Sequence, residues 1–283
     1  MGATYIYLAA VLLCFAANSI LSRLALASGS IDAASFTSVR LISGAVMLAV
    51  VLALRVMRGG DFRPAGAVDP IAALTLFLYA IFFSFAYVSL GAASGALLVF
   101  AAVQLTMIGV ALYRGERPSA SVWAGAMLAA GGLVYLLVPG VNAPPPLPAL
   151  SMIVAGISWG VYSLRGAGKT DPVAATAWNF FLAAPLALLF SFTTASSAHI
   201  TAAGAGWAII SGAFTSGLGY VMWYHVLPRF SATTAALVQL TVPALAALGG
   251  VWLLAEPFSP RLAIASIAIL GGATLVIAAH RRA

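Results

Sequence analysis

The side chains with the greatest chemical reach in this chain are one arginine, a few amides and a set of rings, all embedded in apolar sequence. Arg40 lies about seven residues into an apolar run, about 10 Å deep at 1.5 Å of helical rise per residue. A charge at that depth in lipid is costly unless it is paired or faces a wet cavity. Two roles are open to it: holding a substrate carboxylate or locking a gate, or snorkelling to the outer headgroups and closing contacts to helix-end carbonyls. Asn18 and Ser19 in the first run, Gln239 in the ninth, and Asn179 beside Trp178 in the seventh must also find partners, which a neighbouring helix or a bound zwitterion would supply.

Trp159 stands near the middle of its run, and Tyr162, three residues on, shares its helical face. With Tyr79, Phe83, Trp178, Tyr220 and Trp223 they suit a stacking wall for aromatic or bulky apolar solutes. The same rings would serve helix packing or a lipid-facing surface. Trp123, Trp207 and Trp252 sit near run ends and fit an interfacial belt instead.

Other chemistry lacks its residues. The six acids, Asp32, Asp61, Asp69, Glu116, Asp171 and Glu256, all fall in loops or at helix ends, which weakens a proton relay and favours facilitated movement down a gradient. No HExxH, paired mid-span Asp, Walker A loop, Ser-His-Asp set or metal-ligand cluster occurs, so the expectation is a non-enzyme without metal or cofactor. The twelve Arg and one Lys are scattered singly, with no basic face for nucleic acid to track. Cys14 is alone and reads as a small core residue.

The elements that must position these groups follow from composition. Of 283 residues 63% are apolar and 7% charged, and the mean hydropathy is +1.08, which excludes a soluble globular domain. Breakers divide the chain into ten helices, expected at 4–27, 33–57, 70–90, 92–112, 119–139, 147–166, 173–193, 204–226, 231–254 and 260–280. Pro185 and Pro243 fall inside spans and mark candidate hinges. Small residues four apart, Gly91 and Gly95, Gly156 and Gly160, Gly212 and Ser216, would let helices pack closely. With the N-terminus inside, Arg55, Arg58, Arg63, Arg114, Arg117, Arg165, Lys169, Arg229, Arg281 and Arg282 are cytoplasmic, whereas Arg23 and Arg261 are outside. Both termini are therefore expected in the cytoplasm of a bacterial inner-membrane protein, with the first run retained as a span rather than cleaved.

The chain also repeats itself. Gly115-Glu116-Arg117-Pro118-Ser119 is answered by Ala255-Glu256-Pro257-Phe258-Ser259, and Gly131-Gly132-Leu133 by Gly271-Gly272-Ala273, both at a shift of 140. Two halves, 1–140 and 147–283, then hold five spans each, and an odd number inverts the second copy in the membrane. The fold expected is an all-α polytopic membrane protein of ten transmembrane helices in two inverted five-helix repeats, an architecture suited to alternating access.

On Arg40, the two Gly/Ala-Glu motifs after spans four and nine, and the paired glycines of spans five and ten, the whole chain resembles the drug/metabolite transporter (DMT) superfamily, in particular its EamA-type members. It departs from that pattern at Val103, where a proline matching Pro243 is usual. In overall pattern it looks like the YddG group of aromatic amino-acid exporters. The resemblance implies a secondary carrier of small organic solutes, amino acids first, whose partners are that solute and the lipid bilayer, with a monomer compatible. A multidrug or other metabolite exporter is the alternative, and a membrane scaffold or channel is the alternative from another class.

Overall fold

The computed structural model describes residues 2–60, 68–115, 119–138, 143–230 and 232–280. Asp61, Arg63, Glu116, Arg117, Pro118, Arg281 and Arg282, used above among the acids, for topology or for the repeat, lie outside the described residues.

Ten helical rods occur among the described residues, and local chemistry explains their ends. The rods are α1 (Gly2–Ala27), α2 (Ala33–Met57), α3 (Pro70–Tyr87), α4 (Ala92–Tyr113), α5 (Ala120–Leu137), α6 (Pro146–Gly166) and α7 (Pro172–Thr193). An eighth is α8 (Ala202–Ile210) continuing into α9 (Gly219–Val226), a ninth is α10 (Ala232–Val238) with α11 (Thr241–Leu254), and α12 (Pro260–His280) closes the set. Asp32, Asp69 and Asp171 cap α2, α3 and α7 by accepting from the N–H groups of Ser35, Ala72 and Ala174. Proline at the first turn of α3, α6 and α7 removes a donor that would have no partner there. Six of the rods, α1 to α4, α6 and α7, are long and apolar enough to cross a membrane by themselves.

Two rods are interrupted, for different reasons. The ninth breaks at Gln239 and Leu240, four residues before Pro243, whose ring displaces the carbonyl of residue 239 from the helical ladder. The helix-breaking expected at Pro243 is thus present, whereas α7 runs unbroken through Pro185. The eighth rod holds a π-helical stretch, Ser211–Leu218, which the sequence reading treated as ordinary helix. A run this long is rare in proteins. Its wide turns carry Gly212 against α2, where an added Cβ would stand 2.0 Å from the Arg40 carbonyl oxygen.

Packing is dense and pairwise. α4 is the most enclosed span and lies against α6, α10 and α11; α3 packs on α6, α1 on α11 and on the eighth rod, α2 on α7, and α5 on α12. The small-residue pairs mark close approaches: a Cβ on Gly156 would stand 2.4 Å from the Val99 carbonyl oxygen, and one on Gly95 would meet the Tyr87 ring at the same distance. Gly132 and Gly272 are reciprocal, each opposing the other helix of the α5–α12 pair. Trp123 and Trp252 are exposed on the periphery, as an interfacial belt requires.

Candidate functional site

Arg40 enters the core about two turns into α2 and is 1% exposed. Its Nε donates to Ser216 Oγ at 3.0 Å, and its Nη2 donates to the hydroxyls of Tyr220 at 2.8 Å and Tyr79 at 3.4 Å. The guanidinium carbon lies 5.3 Å from the Tyr79 ring centroid and 5.2 Å from that of Phe83. The snorkelling alternative is therefore corrected: the head group turns into the bundle because three hydroxyls and two ring faces receive it there. Nη1 has no hydrogen-bond partner, and no carboxylate pairs with Arg40 among the described residues. What remains is a buried positive charge solvated only by neutral groups, which makes the centre a place for an anion.

Asn18 secures the helix on the far side of that arginine. Its Oδ1 accepts from Ser211 Oγ at 2.8 Å, from Thr215 Oγ1, and from Ser216 Oγ at 3.4 Å. The π-helical turns set these three hydroxyls, at offsets of four and five, on one side of the rod. Asn18 thus acts as the interhelical tie anticipated for it, and through Ser216 it reaches Arg40. Ser19, its neighbour, is fully buried and lines a central void.

A column of rings runs past the arginine. Trp159 lies 4.6 Å from Tyr220, 4.9 Å from Tyr79 and 5.3 Å from Tyr162, centroid to centroid. Its Nε1 donates to Gln239 Oε1 at 2.8 Å, while Gln239 Nε2 donates to the Ala235 carbonyl, so the amide at the break of the ninth rod orients the indole. Phe15 touches Phe100, Trp159, Tyr220 and Trp223, and Tyr162 stacks on Tyr224 at 5.1 Å. Between Phe15, Ser19, Tyr79, Phe83, Val99, Phe100 and Trp159 only about 10 Å³ stays open, room for about one water. The ring column is closed by its own side chains.

Of the expected wall, Trp159, Tyr162, Tyr79, Phe83, Tyr220 and Trp223 come together. Trp178 does not join them, because consecutive residues point about 100° apart on a helix; it meets Phe181 at 5.8 Å. Its neighbour Asn179 turns inward to Tyr224, 3.5 Å away. Phe15, Phe100, Tyr224 and Ser216 were missed. Phe15 had a signal, since it lies three residues before Asn18 on the same face.

The two ends of the bundle are held differently. At one, Arg23 pairs with Glu256 at 2.8 Å and also donates to the carbonyls of Tyr87 and Val88 at 3.2 Å, while Glu256 accepts from the Ala92 N–H at 2.7 Å. A 270 Å³ pocket opens beside this pair, reaching Ser94, Ala247 and Phe258. At the other end Asp69 receives Arg165 at 2.9 Å and Lys169 at 3.7 Å, and Asp171 receives Arg55 at 2.7 Å. Burial pushes the Asp69 carboxyl up, but the Arg165 and Ala72 hydrogen bonds and the two cations outweigh it and hold it below the usual carboxylate range.

The EamA-like transporter family model matches residues 147–278. The uncharacterized protein PA1977 of Pseudomonas aeruginosa is 48% identical over 272 residues, 94% of this chain and 92% of that protein. The uncharacterized transporter YoaV of Bacillus subtilis is 28% identical over 128 residues, 44% of each chain. A solved crystal structure of another protein superimposes with a TM-score of 0.68 at 22% identity, over 97% of this chain and 99% of that one, and so shares the fold.

Proposed function

Because the chain belongs to the EamA-like transporter family, a family of multi-pass membrane transporters, we propose that it carries amino acids, aromatic ones foremost, along the ring-lined path beside Arg40. One observation carries this reading: a fully buried guanidinium with an unpartnered Nη1 stands in a column of aromatic faces and has no carboxylate partner among the described residues. A solute carboxylate would supply the missing partner in a charge-assisted pair, and Trp159, Tyr79 and Tyr220 would stack on its side chain. The same charge repels cationic drugs, which favours amino-acid export of the YddG type over multidrug export.

Movement by alternating access rests on an inverted repeat of 1–140 and 147–283. The contacts support it, because each has a counterpart: α3 on α6 answers the eighth rod on α1, and α4 on α6 answers α11 on α1. Gly115 and Ala255, at the shift of 140, both adopt positive φ, +85° and +51°. The family match begins at 147, where the second half begins. With both termini cytoplasmic, the Arg23–Glu256 end faces outward. No acid or histidine contacts Arg40 among the described residues, which fits facilitated rather than proton-coupled movement, by a protein able to work as a monomer.

Uptake of labelled aromatic amino acids into proteoliposomes without an ion gradient tests the proposal. The wild type is expected to show saturable uptake, and Arg40→Ala and Trp159→Ala to lose it at least about tenfold while remaining folded. No uptake of any amino acid, with or without a proton gradient, overturns the substrate; uptake abolished by an uncoupler at fixed substrate gradient overturns the facilitated mode.

A further inference from the structure

Tyr162 and Asn179 carry a second set of buried polar atoms without partners, apart from Arg40. Tyr162 is fully buried and its hydroxyl makes no hydrogen bond; Asn179 is 1% exposed, and its Oδ1 is likewise unpartnered. The hydroxyl protons nearby are already committed, Tyr224 donating to the Tyr162 carbonyl at 3.1 Å and Thr176 to the Pro172 carbonyl at 2.7 Å, so neither donates to Asn179 Oδ1. What is left over is a phenol that donates or accepts and an amide oxygen that only accepts.

Tyr220 sets the spacing between this pair and the arginine. Its hydroxyl is 2.8 Å from Arg40 Nη2, and its ring is 6.1 Å from that of Tyr162. Tyr220 thus touches the arginine through its hydroxyl and the Tyr162 ring through its own ring, and Trp159 packs on both Tyr162 and Tyr220.

Resting on the reading of Arg40 as the carboxylate site, we propose that Tyr162 and Asn179 form a second subsite that accepts the ring-borne O–H or N–H of an aromatic carboxylate, so that phenol and indole side chains are preferred to plain phenyl. A phenyl ring fills the same space and leaves both atoms unpaired, and a site built around a buried hydrogen bond discriminates against the analogue that cannot make it.

Counterflow of labelled tyrosine into vesicles preloaded with tyrosine, competed by external tyrosine, tryptophan or phenylalanine, reads the preference directly. The wild type is expected to be inhibited about tenfold more effectively by tyrosine and tryptophan than by phenylalanine. Asn179→Leu and Tyr162→Phe should each shrink that ratio, and together bring it near one. Tyr162→Phe removes a single oxygen, so it keeps the test valid if the Asn179 variant fails to fold. A wild-type ratio near one with brisk counterflow overturns the subsite alone, as does a variant that weakens all three competitors in proportion. Absence of counterflow overturns it together with the reading of Arg40.

Discussion

The Arg23 end and the Asp69 end of the bundle close by different means. Asp32 and Asp171 show the contrast in miniature: both cap the second helix of their half, but Asp32 accepts from the His199 backbone N–H whereas Asp171 accepts from the Arg55 guanidinium. Among the described residues one ion pair, Arg23–Glu256, ties the first end, and a 270 Å³ pocket remains beside it. The second end has two ionic centres, and behind them the Tyr224 ring sits where a Cβ on Gly166 would fall, 2.0 Å away. The lesson is an asymmetry of fastening: among the described residues fewer charge pairs hold the Arg23 end than the Asp69 end, which on the proposed alternating access makes the Arg23 end the easier to release.

The strongest way to break this comparison is to remove Asp69. Asp69→Ala deletes the cap of α3 and strands Arg165 and Lys169; about 1 kcal/mol for the cap and no more than about 1 for screened ion pairs should be lost, read as a lower melting temperature. Glu256→Gln keeps an acceptor for Ala92 and should cost less than about 1 kcal/mol, but it should shift the balance of the two ends. With Cys14→Ser as background and Ser94→Cys as reporter in the pocket, Glu256→Gln should raise the rate of thiol labelling about threefold and Asp69→Asn should lower it. Equal rates in both would show that the ends do not communicate.

Acid sharpens the contrast further. A carboxyl held below its usual range stabilises fully above about pH 3.9, its unfolded value, and that contribution fades as pH falls through the lower folded value. Asp69 is so held, and so is Asp32, where burial works upward but the Ser35 and His199 hydrogen bonds prevail. Melting temperature should stay level from pH 8 to about 4.5 and fall below about 4; a fall already beginning at pH 6 would contradict the role given to these carboxylates. The smallest effect expected is at Ala255, a left-handed residue at φ +51° that ends α11: Ala255→Gly should raise stability by about 1 kcal/mol or less, bringing that end closer to its Gly115 counterpart.

Helix number and most helix ends were readable because proline, aspartate caps and apolar runs act locally. α3 illustrates the limit: it was expected to reach 90 and stops at Tyr87, where carbonyls of the last turn turn to Arg23 from another helix. The break near Gln239 was readable from Pro243, four residues on. The π-helical stretch was not, since nothing within Ser211–Leu218 forbids an α-helix; the partner of its three hydroxyls, Asn18, lies nearly two hundred positions away in sequence. Arg40 could be singled out by depth, but its direction could not, because Tyr79, Ser216 and Tyr220 reach it from two other rods. Trp159 with Tyr162 was readable from one helical face, whereas Trp178 had no such spacing to place it, and it meets Phe181 on its own helix.

The void of about 10 Å³ between Phe15 and Trp159 also bears on leakage. Room for a single water does not hold a continuous file of waters, so at this level of the ring column there is no water wire. On the proposal that these rings line the solute's route, a solute entering between Phe15 and Trp159 would have to part the rings rather than displace a filled water channel, so occupancy and hydration of the core would change together.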